Sequence, residues 1–306
     1  GESALTVQLA DGWYRGSCGA WGLKNQYGTE TKLLAQLELT RADGRVQTIA
    51  TDESWEWSND GPIRFADNKD GEIVDARKDP TYSGKAKVTS HSVTPTASNN
   101  VPVREHERLK AKRITTPSGK TVLDFGQNIA GYAEFTVTAH IGQKIKLRFG
   151  ELLDENGEFT QKNIQCSSKK ITTPPQQVIY TCKEGKNHYK TTFAIFGFQY
   201  AGRTRCGVSV GGFRRHCGIL RHGAHGLFES SNALLNKFVE NTVWSAKNNH
   251  ADLPTDCPTR EHHGWTGDAQ IFFNTAAYLF DYASFAQKYM RDVYDWQKKD
   301  GKLPQI

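Results

Sequence analysis

Residues 133–149 read Ala-Glu-Phe-Thr-Val-Thr-Ala-His-Ile-Gly-Gln-Lys-Ile-Lys-Leu-Arg-Phe. Ala133, Phe135 and Val137 alternate with Glu134, Thr136 and Thr138; Ile145, Leu147 and Phe149 alternate with Lys146 and Arg148. A period of two puts each set on one face of a strand, and His140-Ile141-Gly142-Gln143 supplies the turn between them. One apolar and one polar face per strand is the pattern of an antiparallel sheet lying on a core. The same period appears upstream. Leu33, Ala35, Leu37 and Leu39 alternate with their neighbours, a turn follows at Ala42-Asp43-Gly44-Arg45, and Val46 to Thr51 returns as the second arm of a hairpin. Asp154-Glu155-Asn156-Gly157 is another turn signal. Residues 1 to about 215 therefore read as antiparallel strands in sandwiches. The stretch Ser83 to Pro102 is rich in Ser, Thr, Lys, Asn and Pro and places a boundary near residue 100.

From about residue 228 the period changes. Leu235, Phe238, Val239, Thr242 and Ala246 recur at helical spacing, with Ser231 as the expected N-cap. Ala269 to Phe280 is apolar nearly all round and predicts a buried helix. Phe285, Tyr289, Val293 and Trp296 mark a third, with Asp281 before it as a cap. The fold class expected is mostly β with a C-terminal α part: a β-sandwich over 1–100 (incomplete at its start), a second over 101–226, and the beginning of a helical domain over 227–306. Three helices alone make a poor core. The chain opens with Gly1 and its one methionine is Met290, which points to processing or to a fragment.

The 306 residues carry 39 Lys and Arg against 33 Asp and Glu, a net charge of +6. That surplus does not argue for a nucleic-acid partner, and the cluster Arg203, Arg205, Arg214, Arg215 and Arg221, with His216, His222 and His225 among glycines, reads as a solvated loop. No run of eighteen apolar residues and no signal-peptide pattern occurs, so the expectation is no membrane partner and a cytoplasmic location. The six cysteines include no C-x-x-C pair and read as free thiols, a Cys166–Cys182 disulfide staying open. Neither His216, Cys217, His222 and His225 nor His250, His262 and His263 has paired metal-ligand spacing, so no metal and no cofactor is expected.

The informative stretch is Asp252-Leu253-Pro254-Thr255-Asp256-Cys257-Pro258-Thr259-Arg260-Glu261-His262-His263-Gly264-Trp265-Thr266-Gly267-Asp268, between two helices. Asp252, Asp256, Glu261 and Asp268 stand there with Arg260 and Trp265. Carboxylates accept hydrogen bonds from sugar hydroxyls, and an indole packs on pyranose C–H groups. A carboxyl in a dry setting keeps its proton and serves as a general acid. Taken singly, each residue has a structural reading: Asp268 and Asp256 as helix caps, Pro258 in a first turn, Trp265 as core.

The run Asp256 to Glu261, followed by Gly264-Trp265-Thr266-Gly267-Asp268-Ala269-Gln270, resembles the signature of bacterial α-L-rhamnosidases, inverting glycoside hydrolases with an (α/α)6-barrel catalytic domain. Leu9 to Gly16 and Thr51 to Trp55 are similar to that family's N-terminal sandwich, Val122 to Asn128 and Arg148 to Asp154 to its next one, and Phe228 to Asn232 to the entry of the barrel. The resemblance implies removal of terminal α-L-rhamnose, with rhamnose-containing glycosides or oligosaccharides as partners. It implies Glu261 as general acid, Asp256, Arg260 and Asp268 as holders of sugar hydroxyls, and Trp265 as a pocket wall. Some members carry one more residue here, with Asp-Glu in place of the single Glu; Glu261 is the one acid between Asp256 and Asp268. The family's general base lies later in the barrel, so residues 1–306 alone are expected to be inactive. The rival expectation is a non-catalytic carbohydrate-binding sandwich with Trp13, Tyr14, Trp21, Trp55 and Trp57 as a sugar platform, although Trp55 and Trp57 fit core positions better.

Overall fold

The computed structural model describes residues 4–19, 23–90, 93–98, 102–165, 176–203, 210–220 and 226–306. In chain order its elements are α1 (Gly12–Arg15), β1 (Gln36–Thr40), β2 (Val46–Ala50), β3 (Glu56–Trp57), β4 (Ile63–Asp67), β5 (Gly71–Asp75), β6 (Gly84–Lys85), β7 (Val103–Lys110), β8 (Lys112–Thr115) and β9 (Thr121–Ala139). There follow β10 (Lys144–Gly150), β11 (Gln177–Thr181), β12 (Gly185–Lys190), β13 (Phe196–Arg203), β14 (Val210–Leu220), α2 (Ala233–Asn248), α3 (Thr266–Leu279) and α4 (Ala283–Asp295). The chain is mostly β with three helices at its C-terminal end, and these do not close a barrel. Among the described residues no helix is long and apolar enough to cross a membrane.

β9 organises the β part. Its first half pairs with β8 and β13, and its second half with β12 and β14. One strand thus serves both layers of a sandwich. β10 and β11 extend the first layer and β7 the second. Between the layers lie Phe135, Ile145, Leu147, Phe149, Phe196 and Phe198, all essentially inaccessible. Phe149 stacks on Phe196 at 4.4 Å and tilts against Phe198 at 4.6 Å. The alternation at 133–149 fills this core as expected, because the apolar set of each strand faces inward.

The boundary near residue 100 is crossed by hydrogen bonds. β4 pairs with β5, and β5 pairs in parallel with β11, so residues 63–75 extend the sheet of the later unit. The buried Glu72 carboxylate ties them in, accepting from the Thr192, Phe193 and Ala194 amides and the Tyr189 hydroxyl. Among the described residues of 1–100, β1–β2 and β3–β6 form two separate ribbons. The β1–β2 hairpin forms with the expected turn, yet every residue of both strands is exposed. Trp57, expected in a core, is 46% exposed because β3 pairs only with the two-residue β6. Residues 210–220 of the Arg/Gly/His stretch are strand rather than loop, paired with both β7 and β9. Trp21, Cys166, Arg205, Cys206, Arg221, His222 and His225 lie outside the described residues.

The helices depart from expectation at their ends. α2 is capped by Asn232, not Ser231: its side-chain oxygen accepts from the Leu234 and Leu235 amides at 3.0 and 3.3 Å. α4 starts after Tyr282 without a side-chain cap, so Asp281 does not serve as one. Phe285, Tyr289 and Val293 are buried, but Trp296 is 61% exposed. α3 is not a buried helix. Ala269 and Ala276 pack inward while Ile271 and Tyr278 are 84% and 80% exposed, since only one face of α3 meets a neighbour.

Sandwich and helices share a seam. Opposite Gln199, β9 carries extra residues between Asp124 and Ile129, and this bulge turns at Gly126, whose φ of +76 suits glycine. It carries Ile129 into the helical core beside Ala276, Tyr282 and Phe285. It also presents the Asn128 carbonyl and the Ala130 amide to the Asn248 side chain at the end of α2.

Candidate active site

The loop joining α2 to α3 is held from three sides. From the helices, His250 bonds the Ala246 carbonyl at 2.7 Å and the Tyr282 hydroxyl at 3.1 Å, and Thr255 returns to Asn249. From the sandwich, the buried Gln176 side chain donates to the Thr259 carbonyl at 2.6 Å. Gly197 of β13 lets the loop approach, since a Cβ there would stand 2.3 Å from Thr259 Cγ2. From the N-terminal segment, the Gly19 amide donates to the Glu261 carbonyl at 3.1 Å and the Trp13 indole to the His262 carbonyl at 3.3 Å.

Within this frame the Glu261 carboxyl is largely covered. Its side chain is 14% exposed, Oε2 accepts from the Trp265 indole at 3.1 Å, and Oε1 lies 3.4 Å from Arg260 Nε. Its own amide reaches Cys257 Sγ at 3.3 Å. Asp256 is held reciprocally by His263: the Asp256 amide donates to the His263 carbonyl at 2.9 Å, and the His263 amide to Asp256 Oδ1 at 3.1 Å. Burial pushes the Asp256 carboxyl above the usual carboxylate range, and the neighbouring Glu261 charge adds to this. Burial likewise raises the Cys257 thiol.

The structure therefore keeps Asp256, Arg260, Glu261 and Trp265 together on this loop, with Glu261 touching both Arg260 and Trp265. Asp268 sits exposed on the first turn of α3, where the helix N-terminus favours an acid. Asp252 is diverted. It pairs with Lys288 at 3.1 Å, which also holds Asp292. Trp13 belongs to the loop's support, Tyr14 is exposed, and Trp55 donates its indole N–H to Ala50. Among the described residues no three His, Cys, Asp or Glu side chains converge as a metal site.

Several supporting residues carry no sequence signal. Gln176 stands 83 positions from Thr259 and Gly19 farther still from Glu261, and no local pattern links either to the loop. Glu151 does stand in a quoted motif. Asn128 and Asn163 donate to its carboxylate, and burial raises it while the Arg260 charge lowers it.

His262 offers a pH test. It is buried with φ +57, and among the described residues its Nε2 has no hydrogen-bond partner. Burial pushes its pKa from 6.5 down to about 4, so below pH 6.5 the unfolded chain binds the proton more tightly. Stability present above pH 6.5 is lost as the pH falls toward 4, by about 3 kcal/mol for this group. His262→Asn, which tolerates positive φ, is expected to remove that share. Urea unfolding at pH 7 and pH 4 checks it; equal losses in both proteins would contradict a buried neutral imidazole.

Three family models cover nearly all of the sequence. The α-L-rhamnosidase N-terminal domain matches residues 1–116, the bacterial α-L-rhamnosidase concanavalin-like domain 114–206, and the bacterial α-L-rhamnosidase 6 hairpin glycosidase domain 224–306. The chain belongs to the bacterial α-L-rhamnosidase family. An α-L-rhamnosidase of Streptomyces avermitilis is 33% identical over 100% of this chain, and one of Formosa agariphila 30% identical over 99%. The crystal structure of the Streptomyces avermitilis α-L-rhamnosidase complexed with L-rhamnose superposes on 97% of the chain with a TM-score of 0.87 at 32% identity. The α-L-rhamnosidase of Aspergillus terreus superposes on 94% with a TM-score of 0.83 at 30% identity. This rhamnosidase-family chain spans 30% and 34% of the length of the Streptomyces and Formosa relatives.

Proposed function

We propose that this chain supplies the leaving-group side of a glycoside hydrolase that removes terminal α-L-rhamnose with inversion at the anomeric carbon. The observation that carries the reading is the Glu261 carboxyl, 14% exposed and fixed 3.1 Å from the Trp265 indole in a family whose Streptomyces avermitilis member is solved with L-rhamnose. Glu261 in its acid form gives its proton to the glycosidic oxygen as the bond to the anomeric carbon breaks. A water on the opposite face then adds its oxygen to that carbon, and its proton passes to a second carboxylate about 6.5–9.5 Å from the first. Arg260, Asp256 and Asp268 hold hydroxyls of the deoxysugar, and Trp265 walls the pocket. The substrates are rhamnose-containing glycosides or oligosaccharides.

The second carboxylate is not assigned to any residue of this chain. Among the described residues, Leu234, Phe238, Ile271 and Tyr278 stand exposed on the helices. Residues 1–306 alone are therefore expected to release no phenol from an aryl α-L-rhamnoside, while a protein continuing the chain through a complete glycosidase domain does. Turnover by the 306-residue chain would overturn this assignment of roles.

A further inference from the structure

Behind the Glu261 loop lies a buried charged turn that the proposed reaction does not use. It connects β4 to β5 and contains Asp67, Asn68, Lys69 and Asp70, each under one-tenth exposed. The Asp67 carboxylate accepts from the amides of Ser17, Lys69 and Asp70 at 2.7, 2.9 and 2.9 Å, which joins the turn to residues 17–19. Lys69, 1% exposed, donates from Nζ to the Gly19 carbonyl at 2.9 Å and stands 3.9 Å from Asp70 Oδ1. The amide of the same Gly19 donates to the Glu261 carbonyl at 3.1 Å. The neighbouring Trp13 donates to the His262 carbonyl at 3.3 Å. One glycine therefore stands between a buried ammonium and the peptide that carries the proposed acid.

A fully buried ammonium is a poor way to gain stability. Its removal from water costs several kcal/mol, and an apolar side chain of similar length fills such a space at less cost. What Lys69 does make is a directional contact: it donates to the Gly19 carbonyl, and the amide of that same residue meets Glu261.

We propose that Lys69 is a positioning residue: through Gly19 it holds the Glu261–His262 peptide, as Trp13 holds the His262–His263 peptide that follows, so that the Glu261 carboxyl stays on the Trp265 indole. This rests on the reading of Glu261 as the general acid. The test is Lys69→Met, made in the 306-residue chain and in a protein continuing it through a complete glycosidase domain. In the longer protein kcat toward an aryl rhamnoside is expected to fall about 10–100-fold with KM within about twofold, the mark of a displaced acid over an intact sugar site. In the 306-residue chain the amides of Asp256, Glu261 and His263 are expected to exchange with deuterium about tenfold faster, with exchange in β9 and β10 unchanged. Should Lys69→Met fail to fold, Trp13→Phe keeps an aromatic ring, deletes the N–H donor, and is expected to accelerate the same three amides. Unchanged loop exchange in the folded variant, or faster exchange in loop and sheet alike, overturns the proposal. If the longer protein shows no rhamnosidase activity, the functional reading fails, and loop exchange still decides the role of Lys69.

Discussion

Glu261→Gln is expected to lower kcat for a natural rhamnoside by about 10²–10⁴-fold, in a protein continuing this chain through a complete glycosidase domain. Glutamine occupies nearly the same volume and its side-chain oxygen still accepts from the Trp265 indole, which stands 3.1 Å from the carboxylate in the native chain. The acceptor for the indole therefore persists, and what is lost is the transferable proton and the charge that faces Arg260. Rhamnose affinity, measured by calorimetry, should stay within a few fold. This combination separates a catalytic acid from a hydroxyl-holding carboxylate, whose loss would weaken binding as well. A lectin-like sandwich protein, the rival reading, would have no turnover to lose. The neighbouring Asp256 makes the comparison sharper: its carboxylate accepts from the His263 amide, so Asp256→Ala, which deletes that acceptor, disturbs loop shape where Glu261→Gln does not.

Phe149→Ala is expected to destabilise the sandwich by about 3–5 kcal/mol. Phe149 is fully buried, stacks on Phe196 at 4.4 Å and tilts against Phe198 at 4.6 Å. Alanine leaves a hole that paired strands on either side cannot close, because β10 is hydrogen-bonded to both β11 and β13. Urea unfolding followed by tryptophan fluorescence gives the loss from the shift in midpoint. A loss below about 1 kcal/mol would mean that the core collapses around the deletion. The effect should reach the site, because β13 carries both Phe196 and Gly197, and Gly197 abuts Thr259 of the acid loop.

The sandwich strands were legible because each side chain there has one job. Phe135, Val137, Ile145, Leu147 and Phe149 face the core, and their polar neighbours face out. The three helices were legible for the same reason, from Leu235 through Val293, with ends displaced by a residue or two where Asn232 outcompetes Ser231 as a cap. Burial of α3 was misjudged because composition does not say which neighbours are present: Ile271 and Tyr278 are apolar yet exposed. β4 and β5 read as part of an N-terminal unit because parallel pairing of residues 71–75 with 177–181 spans about a hundred positions and leaves no local period.

Of the proposed site residues, Asp256, Arg260, Glu261 and Trp265 were visible as a set because they crowd one short loop. Asp252 was drawn into the same set by proximity in sequence, and Lys288, two helices later, removes it. Lys69, Gly19 and Gln176 were invisible for the opposite reason. They act through backbone carbonyls and amides, which any residue offers and no motif records.

The most direct measurement compares wild type with Glu261→Gln across aryl α-L-rhamnosides whose phenols span a wide range of acidity, in the complete-domain protein. A poor leaving group needs the donated proton and a good one does not. The ratio of wild-type to variant kcat should climb steeply as the phenol becomes less acidic, approaching unity for the most acidic. A ratio that stays flat along the series would show that the carboxyl at position 261 does not protonate the departing oxygen.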